Sequence, residues 1–209
     1  MCFFIFFSII RIRPFAKKTS ENRDGEAMRC DKFIDNIMDQ IKEAQMKLGY
    51  AKESLRLYYP LATLNAMLEE SAQNTEEMLN LLHMEKLQKT PLGRLKFSSH
   101  KQRIEVSVSP EGAEYVHMQK EDPAFLKAII ELFRQHHHCS IDDVAELFSS
   151  FSEKYVCEKM PKGSDFDVVF YFEDSKIDKY YYCVKEEMGH TIYHRFTRED
   201  MVELLQIER

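Results

Sequence analysis

The chain has 209 residues, 44% hydrophobic and 31% charged, with a net charge of −6 and no Trp. That length holds a real core in one domain or two small ones, and the composition is that of a globular protein, not a fibrous or disordered one. Five basic and three acidic side chains fall within residues 1–27, leaving about −8 on the rest, and an acidic body repels phosphate backbones, which argues against general nucleic-acid binding.

Five cysteines (Cys2, Cys30, Cys139, Cys157 and Cys183) are spread so widely that no CxxC occurs. Neither a zinc knuckle nor a redox pair is written in that spacing, and reduced thiols in a cytoplasm are the plain reading. Enzyme signatures are missing too, with no GxGxxG, P-loop, HExxH or GxSxG, and no cofactor is expected.

The apolar run Cys2 to Ile10 has about nine residues, whereas a membrane span needs about 20. Its positive charges follow the run instead of preceding it, which is wrong for a signal peptide. Lys17 to Ala27 is polar without a helical period and predicts no structure. Residues 1–27 are therefore expected to be a disordered or non-native extension, with Met28 as the true initiator, and residues 28–209 one domain. A short interfacial anchor is the weaker alternative, because one short apolar stretch holds a membrane poorly.

From Asp31 to Leu48 the apolar residues Ile34, Ile37, Met38, Ile41, Ala44 and Leu48 form a helical stripe, with charges expected on the opposite face and Gly49 as cap. Ala51 to Tyr59 reads as a second helical piece, after which Pro60 opens a helix carrying Leu61, Leu64, Met67 and Leu68. Asn74 or Thr75 caps a helix running to Gln88, and Lys89 to Ser99 reads as a connector. Ile104, Val106 and Val108 alternate as a strand. Pro110-Glu111-Gly112 then predicts a turn, and Ala113 to Met118 a returning strand.

Asp122-Pro123 starts a helix with Phe125, Leu126, Ile129, Ile130 and Phe133 inward, and Ser140 with Asp143 caps the next. A strand over Lys154 to Lys159 follows. Asp165 to Arg195 then alternates apolar and polar residues, breaks, and alternates again, as half-buried antiparallel strands do. Phe166, Val168, Phe170 and Phe172 are expected on one face of the first strand. Thr197 with Asp200 opens a last helix. The fold predicted is α+β: an antiparallel sheet of roughly four to six strands in the second half, covered by helices from the first half and the C-terminal helix.

Two stretches carry a family resemblance. IKEAQMKLGYAKESLRLYYPLATLN (Ile41 to Asn65) resembles the opening, and YYCVKEE (Tyr181 to Glu187) with GHTIYHRFTRED (Gly189 to Asp200) the ending, of uncharacterised bacterial proteins of gut Firmicutes. That family is a domain of unknown function. The likeness covers Met28 to about Val202 and leaves out residues 1–27. It implies no catalytic or binding role for any residue.

His136, His137 and His138 are adjacent, and neighbours on a helix point about 100° apart, so they do not converge on one metal. His190 and His194, four apart in a strand, stand about 13 Å from each other. They are expected to be partly buried structural groups paired with Glu187 or a tyrosine, not metal ligands. On the other face Thr191, Tyr193 and Arg195 are expected to join Tyr181, Cys183 and Lys185 of the neighbouring strand. With Asp167, Tyr171 and Glu173 they make a Tyr/Arg recognition surface, whose binding residues are Asp167, Tyr171, Tyr181, Lys185, Tyr193 and Arg195.

The function expected is that of a small acidic cytoplasmic interaction protein, regulatory or immunity-type, with a basic protein partner and no catalytic residue. The alternative is a small hydrolase or metal-dependent nuclease around Asp167, His190, His194 and Arg195. Against the nuclease, Cys183-Val184-Lys185 lacks the second acid that gathers the metal.

Overall fold

The computed structural model describes residues 20–205 except 83–86, 88, 120, 136–138 and 189, with side chains described from Arg29 to Met201. Where one sheet was expected, the described residues form two, both antiparallel, each with its own core. The α+β class holds.

The first sheet has β1 (Leu55–Pro60), β2 (Lys96–His100) and β3 (Arg103–Val108) in the order β1-β3-β2. The predicted helix over Ala51 to Tyr59 is thus partly a strand: Leu55, Leu57 and Tyr59 turn inward and Arg56 and Tyr58 outward. A six-residue stretch with one charge fits either period, and only its pairing with β3 decides. Pro60 is tolerated because β1 is an edge strand, and it also precedes helix α2 (Leu61–Leu68) as expected. Ile104, Val106 and Val108 are fully buried, but β3 pairs backward with β2. Nothing in the mostly exposed Lys96–His100 had marked it as a strand.

Helix α3 (Thr75–Leu82) precedes β2, and the predicted turn and returning strand after β3 form helix α4 (Pro110–Gln119) instead. Pro110 sits in the first helical turn, where its missing N–H costs nothing. Gly112 lies against Leu92 and Val108, which explains a glycine there without a turn.

Helix α1 (Ser20–Leu48) begins inside the stretch predicted to be unstructured. It buries Phe33, Ile34, Ile37 and Ile41 in the first core with Tyr59, Leu64, Met78 and Leu82. Burial of such side chains stabilises by about 1.5–3 kcal/mol each. The face predicted to carry charges is also covered: Asn36, Asp39 and Lys42 are buried.

The second sheet is a meander of β4 (Tyr155–Lys159), β5 (Val168–Phe172), β6 (Tyr181–Glu187) and β7 (His190–Phe196) in that order. Helices α5 (Ala124–Gln135) and α6 (Ile141–Phe151) cover its inner face, and α6 carries the predicted Ser140–Asp143 capping box. Phe125 of α5 packs edge-on against Phe148, Phe172 and Tyr182 at 4.6, 4.8 and 5.3 Å. Val168, Phe170 and Phe172 face this core, but Phe166 does not. It precedes β5 and packs on the outer face with Val169, Cys183 and Phe196.

Helix α7 (Arg198–Leu205) opens with the predicted Thr197–Asp200 box and places Met201 on that outer face. Thr63 of α2 donates to Asp200 Oδ1 at 2.8 Å, tying α7 to the first sheet's helices.

Candidate functional site

Register fixes which β6 and β7 side chains share a face. Tyr182 stands opposite Arg195 and Val184 opposite Tyr193, while Tyr181 stands opposite Phe196, Cys183 opposite His194 and Lys185 opposite Ile192. Cross-strand partners point the same way. Tyr193 and Arg195 therefore lie on the inner face, and Tyr181 and Lys185 on the outer one. The predicted surface is split between the two sides of the sheet.

The inner side holds a buried ionic network under α1. Arg195 Nε lies 2.9 Å from Glu43 Oε2, and its guanidinium carbon stands 3.9 Å over the Tyr180 ring. The Tyr180 hydroxyl donates to Asp39 Oδ2 at 2.7 Å, and Lys179 Nζ meets the same oxygen at 2.8 Å. Asp178 accepts from the Tyr180 N–H at 2.8 Å and from the Tyr182 hydroxyl at 3.0 Å. Lys42, also buried, pairs with Asp122 at 2.6 Å. Asp39, Lys42, Asp178, Lys179, Tyr180 and Arg195 all line a cavity of about 220 Å³.

Burial opposes the Arg195 charge, yet Glu43 and the surrounding Tyr182, Tyr180 and Asp178 outweigh it and strengthen its hold on the proton. Burial pushes Asp178 above the usual carboxylate value, although Arg195 and its hydrogen bonds pull the other way. Burial first, and then Asp39, raises Tyr180; burial and Asp178 raise Tyr182. Each acid and base here is engaged with another, which is the signature of a structural network more than of a reactive one. Tyr193 packs on Phe133 at 4.8 Å with Lys47 Nζ 4.3 Å above its ring, and burial raises its hydroxyl.

The outer side keeps polar and aromatic groups near solvent. Tyr171 and Tyr181, both half-buried, pack ring on ring at 4.6 Å. Burial, then Glu158, raises the Tyr171 hydroxyl, and Glu173 stands close as well. Lys185 pairs with Glu187 at 3.0 Å and has Asp165 and Asp167 nearby. Asp167 Oδ2 accepts from the Glu186 N–H at 2.8 Å. Ile192 is 47% exposed, and the exposed His194 packs on Phe166 at 5.4 Å.

His190 and His194 share the outer face with Ile192 and Phe196, as expected, but both are exposed, not partly buried. Glu187 is ion-paired with Lys185. Arg195 lies on the side away from both histidines, so Asp167, His190, His194 and Arg195 do not converge on one site. His136 to His138 fall outside the described residues. Among the described residues no group of three His, Cys, Asp or Glu side chains is placed to hold a metal ion, and no helix is long and apolar enough to cross a membrane.

Sequence reasoning missed Asp39, Glu43, Asp178, Tyr180 and Tyr182. The one available signal was on α1, where Asn36, Asp39 and Glu43 run at helical spacing beside the apolar stripe. That row is also how a solvated face is written. No curated protein and no solved structure matches the chain. Residues 30–205 match the family described as "Domain of unknown function, E. rectale Gene description (DUF3877)". The resemblance noted at both ends of the chain is thereby made specific: the chain belongs to the DUF3877 family.

Proposed function

We propose that the chain is a non-enzymatic interaction protein of the cytoplasm, regulatory or immunity-type, and that the outer face of its four-stranded sheet recognises a basic protein partner. The observation that carries this reading is the half-exposed Tyr171–Tyr181 pair with Glu158 and Glu173 beside it. Tyrosines supply apolar contact at low entropic cost, and an acidic surround steers a basic partner onto them. Asp167 and Lys185 lie on the same side and extend the surface. Tyr193 and Arg195 drop out of it, because their side chains are spent inside. The free thiols of Cys30, Cys139, Cys157 and Cys183 favour a reducing compartment.

The test is affinity purification from the native source with three baits: wild type, Glu158→Lys/Glu173→Lys, and the control Glu53→Lys/Glu121→Lys, whose residues are exposed elsewhere. A partner is expected with wild type and control, and its recovery should fall about tenfold or more with the sheet-face variant and weaken with added salt. Equal recovery by all three baits overturns the proposal.

A further inference from the structure

The outer face of the first sheet is open. Register sets its side chains in three cross-strand rows: Arg56–Ser107–Lys96, Tyr58–Glu105–Ser98 and Pro60–Arg103–His100. Cross-strand partners point the same way. The alternate residues Tyr59, Ile104, Val106 and Val108 are buried in the first core. No member of the three rows is buried, and Arg56, Tyr58, Lys96, Ser98, His100 and Arg103 are exposed.

This face is basic in a chain of net charge −6. The three strands and the turn between β2 and β3 carry Arg56, Lys96, Lys101 and Arg103 against one acid, Glu105. Glu105 has 13% of its side chain exposed; its Oε1 accepts from the Ser107 hydroxyl at 3.2 Å and lies 3.8 Å from Arg56 Nε. Lys96, Lys101 and Arg103 meet no carboxylate among the described residues. Two grooves, of about 660 and 610 Å³, meet at the turn. Lys101, Gln102 and Arg103 line both, Tyr58 and His100 line the larger, and no acid lines either. The Tyr58 ring packs edge-on to His100 at 5.4 Å and stays 42% exposed.

Cations gathered on one face of an acidic molecule draw an anionic partner to that face. The Arg56–Lys96 row and the Arg103 row are four residues apart along β3, or about 13 Å. Tyr58 and Glu105 stand between them. A nucleic-acid strand carries a phosphate on every nucleotide, so it would bring one over Glu105, and past this face it would meet the acidic remainder of the chain. A protein segment can set carboxylates over the two cation rows and an apolar residue over Tyr58.

We infer that the outer face of the first sheet docks an acidic segment of a protein partner. Its carboxylates pair with Arg56 and Lys96 at one end and with Lys101 and Arg103 at the other, and an apolar side chain between them lies on Tyr58. The inference is independent of the reading of the second sheet, since it concerns other residues and the opposite charge.

Fluorescence anisotropy with the full chain tests it, using a labelled oligoglutamate peptide with one central Phe, the same peptide with Ala in that place, and a labelled oligothymidylate. Saturable, salt-sensitive binding is expected for the Phe peptide, with the Ala peptide weaker. Lys101→Gln/Arg103→Gln, at two exposed positions, should weaken it about tenfold or more. Lys127→Gln/Lys154→Gln makes the same charge change at exposed positions elsewhere and should leave it within about twofold. Tyr58→Ala should abolish the advantage of Phe over Ala. Failure of the Phe peptide to saturate by about 1 mM, or equal weakening by the two charge variants, overturns the inference. Tighter binding of the oligothymidylate would make the face a nucleic-acid site and overturns it too. So does sedimentation showing self-association that Lys101→Gln/Arg103→Gln removes, because a second copy would then occupy the face.

Discussion

Arg195 and Glu43 meet at 2.9 Å with 3% and 14% of their side chains exposed, joining strand β7 to helix α1. The guanidinium expected to anchor a partner is committed inside the molecule. Removing one member of a buried pair leaves an uncompensated charge and costs about 3–5 kcal/mol. Glu43→Leu is expected to lie in that range by urea unfolding. Glu43→Leu/Arg195→Met should cost much less than the sum of the two single changes, because the pair leaves together. A loss below about 1 kcal/mol for Glu43→Leu would place Arg195 in water.

Asp178 makes a pH prediction. Burial raises its carboxyl above the ordinary 3.8, so the folded chain binds that proton more tightly than the unfolded chain does. Its contribution to stability therefore falls as pH rises from the ordinary value through the folded one. Asn at 178 does not titrate and still offers an acceptor to the Tyr180 N–H and a donor to the Tyr182 hydroxyl oxygen. Asp178→Asn should gain on wild type in denaturant midpoint between about pH 4 and about pH 7. A difference that shrinks over that range would contradict the burial.

Gly112 sits in a helix, where Gly→Ala ordinarily stabilises by about 1 kcal/mol. Here an added Cβ would meet the Leu92 carbonyl oxygen at 2.5 Å and Val108 Cγ1 at 2.7 Å. Gly112→Ala is expected to destabilise by about 1–3 kcal/mol, the usual cost of overpacking. A rise in melting temperature would show that α4 does not lie against β3 as described.

Thiol reactivity separates the four described cysteines. Burial pushes Cys183 up to about 12 and, with Asp143 adding to it, Cys139 up to about 11; Cys30 is buried too. Cys157 is exposed, although partial burial and Glu158 raise it somewhat. Maleimide labelling followed by peptide mapping should find Cys157 modified first of the four, since access and thiolate fraction govern the rate. Equal labelling of Cys183 would mean that the outer face is not covered by Met201.

The sequence was legible where one physical signal dominated. The Ser140–Asp143 and Thr197–Asp200 boxes, the α5 stripe and the second-sheet strands all carry local patterns that nothing overrides. It misled where the period was short or exposure was assumed. Leu55 to Pro60 is too brief to tell strand from helix, and Pro110 with Gly112 writes a turn as readily as a helix start. The candidate site depended on register, which strand alternation alone does not set. A one-residue offset between β6 and β7 was enough to join Arg195 with Tyr181 on paper, whereas Arg195 pairs with Tyr182. Nor does local pattern show that a second sheet covers the polar side of α1.

The sheet's division into a spent inner face and an available outer one is tested most directly by hydroxyl-radical footprinting, free and in the captured complex. Free protein should be modified at Met188, Ile192 and Tyr181, while Tyr182, which is fully buried, stays silent. In the complex, modification at Ile192 and Tyr181 should fall and Tyr182 remain silent. Tyr182 modified as readily as Tyr181, or outer-face modification unchanged by the partner, would contradict the account.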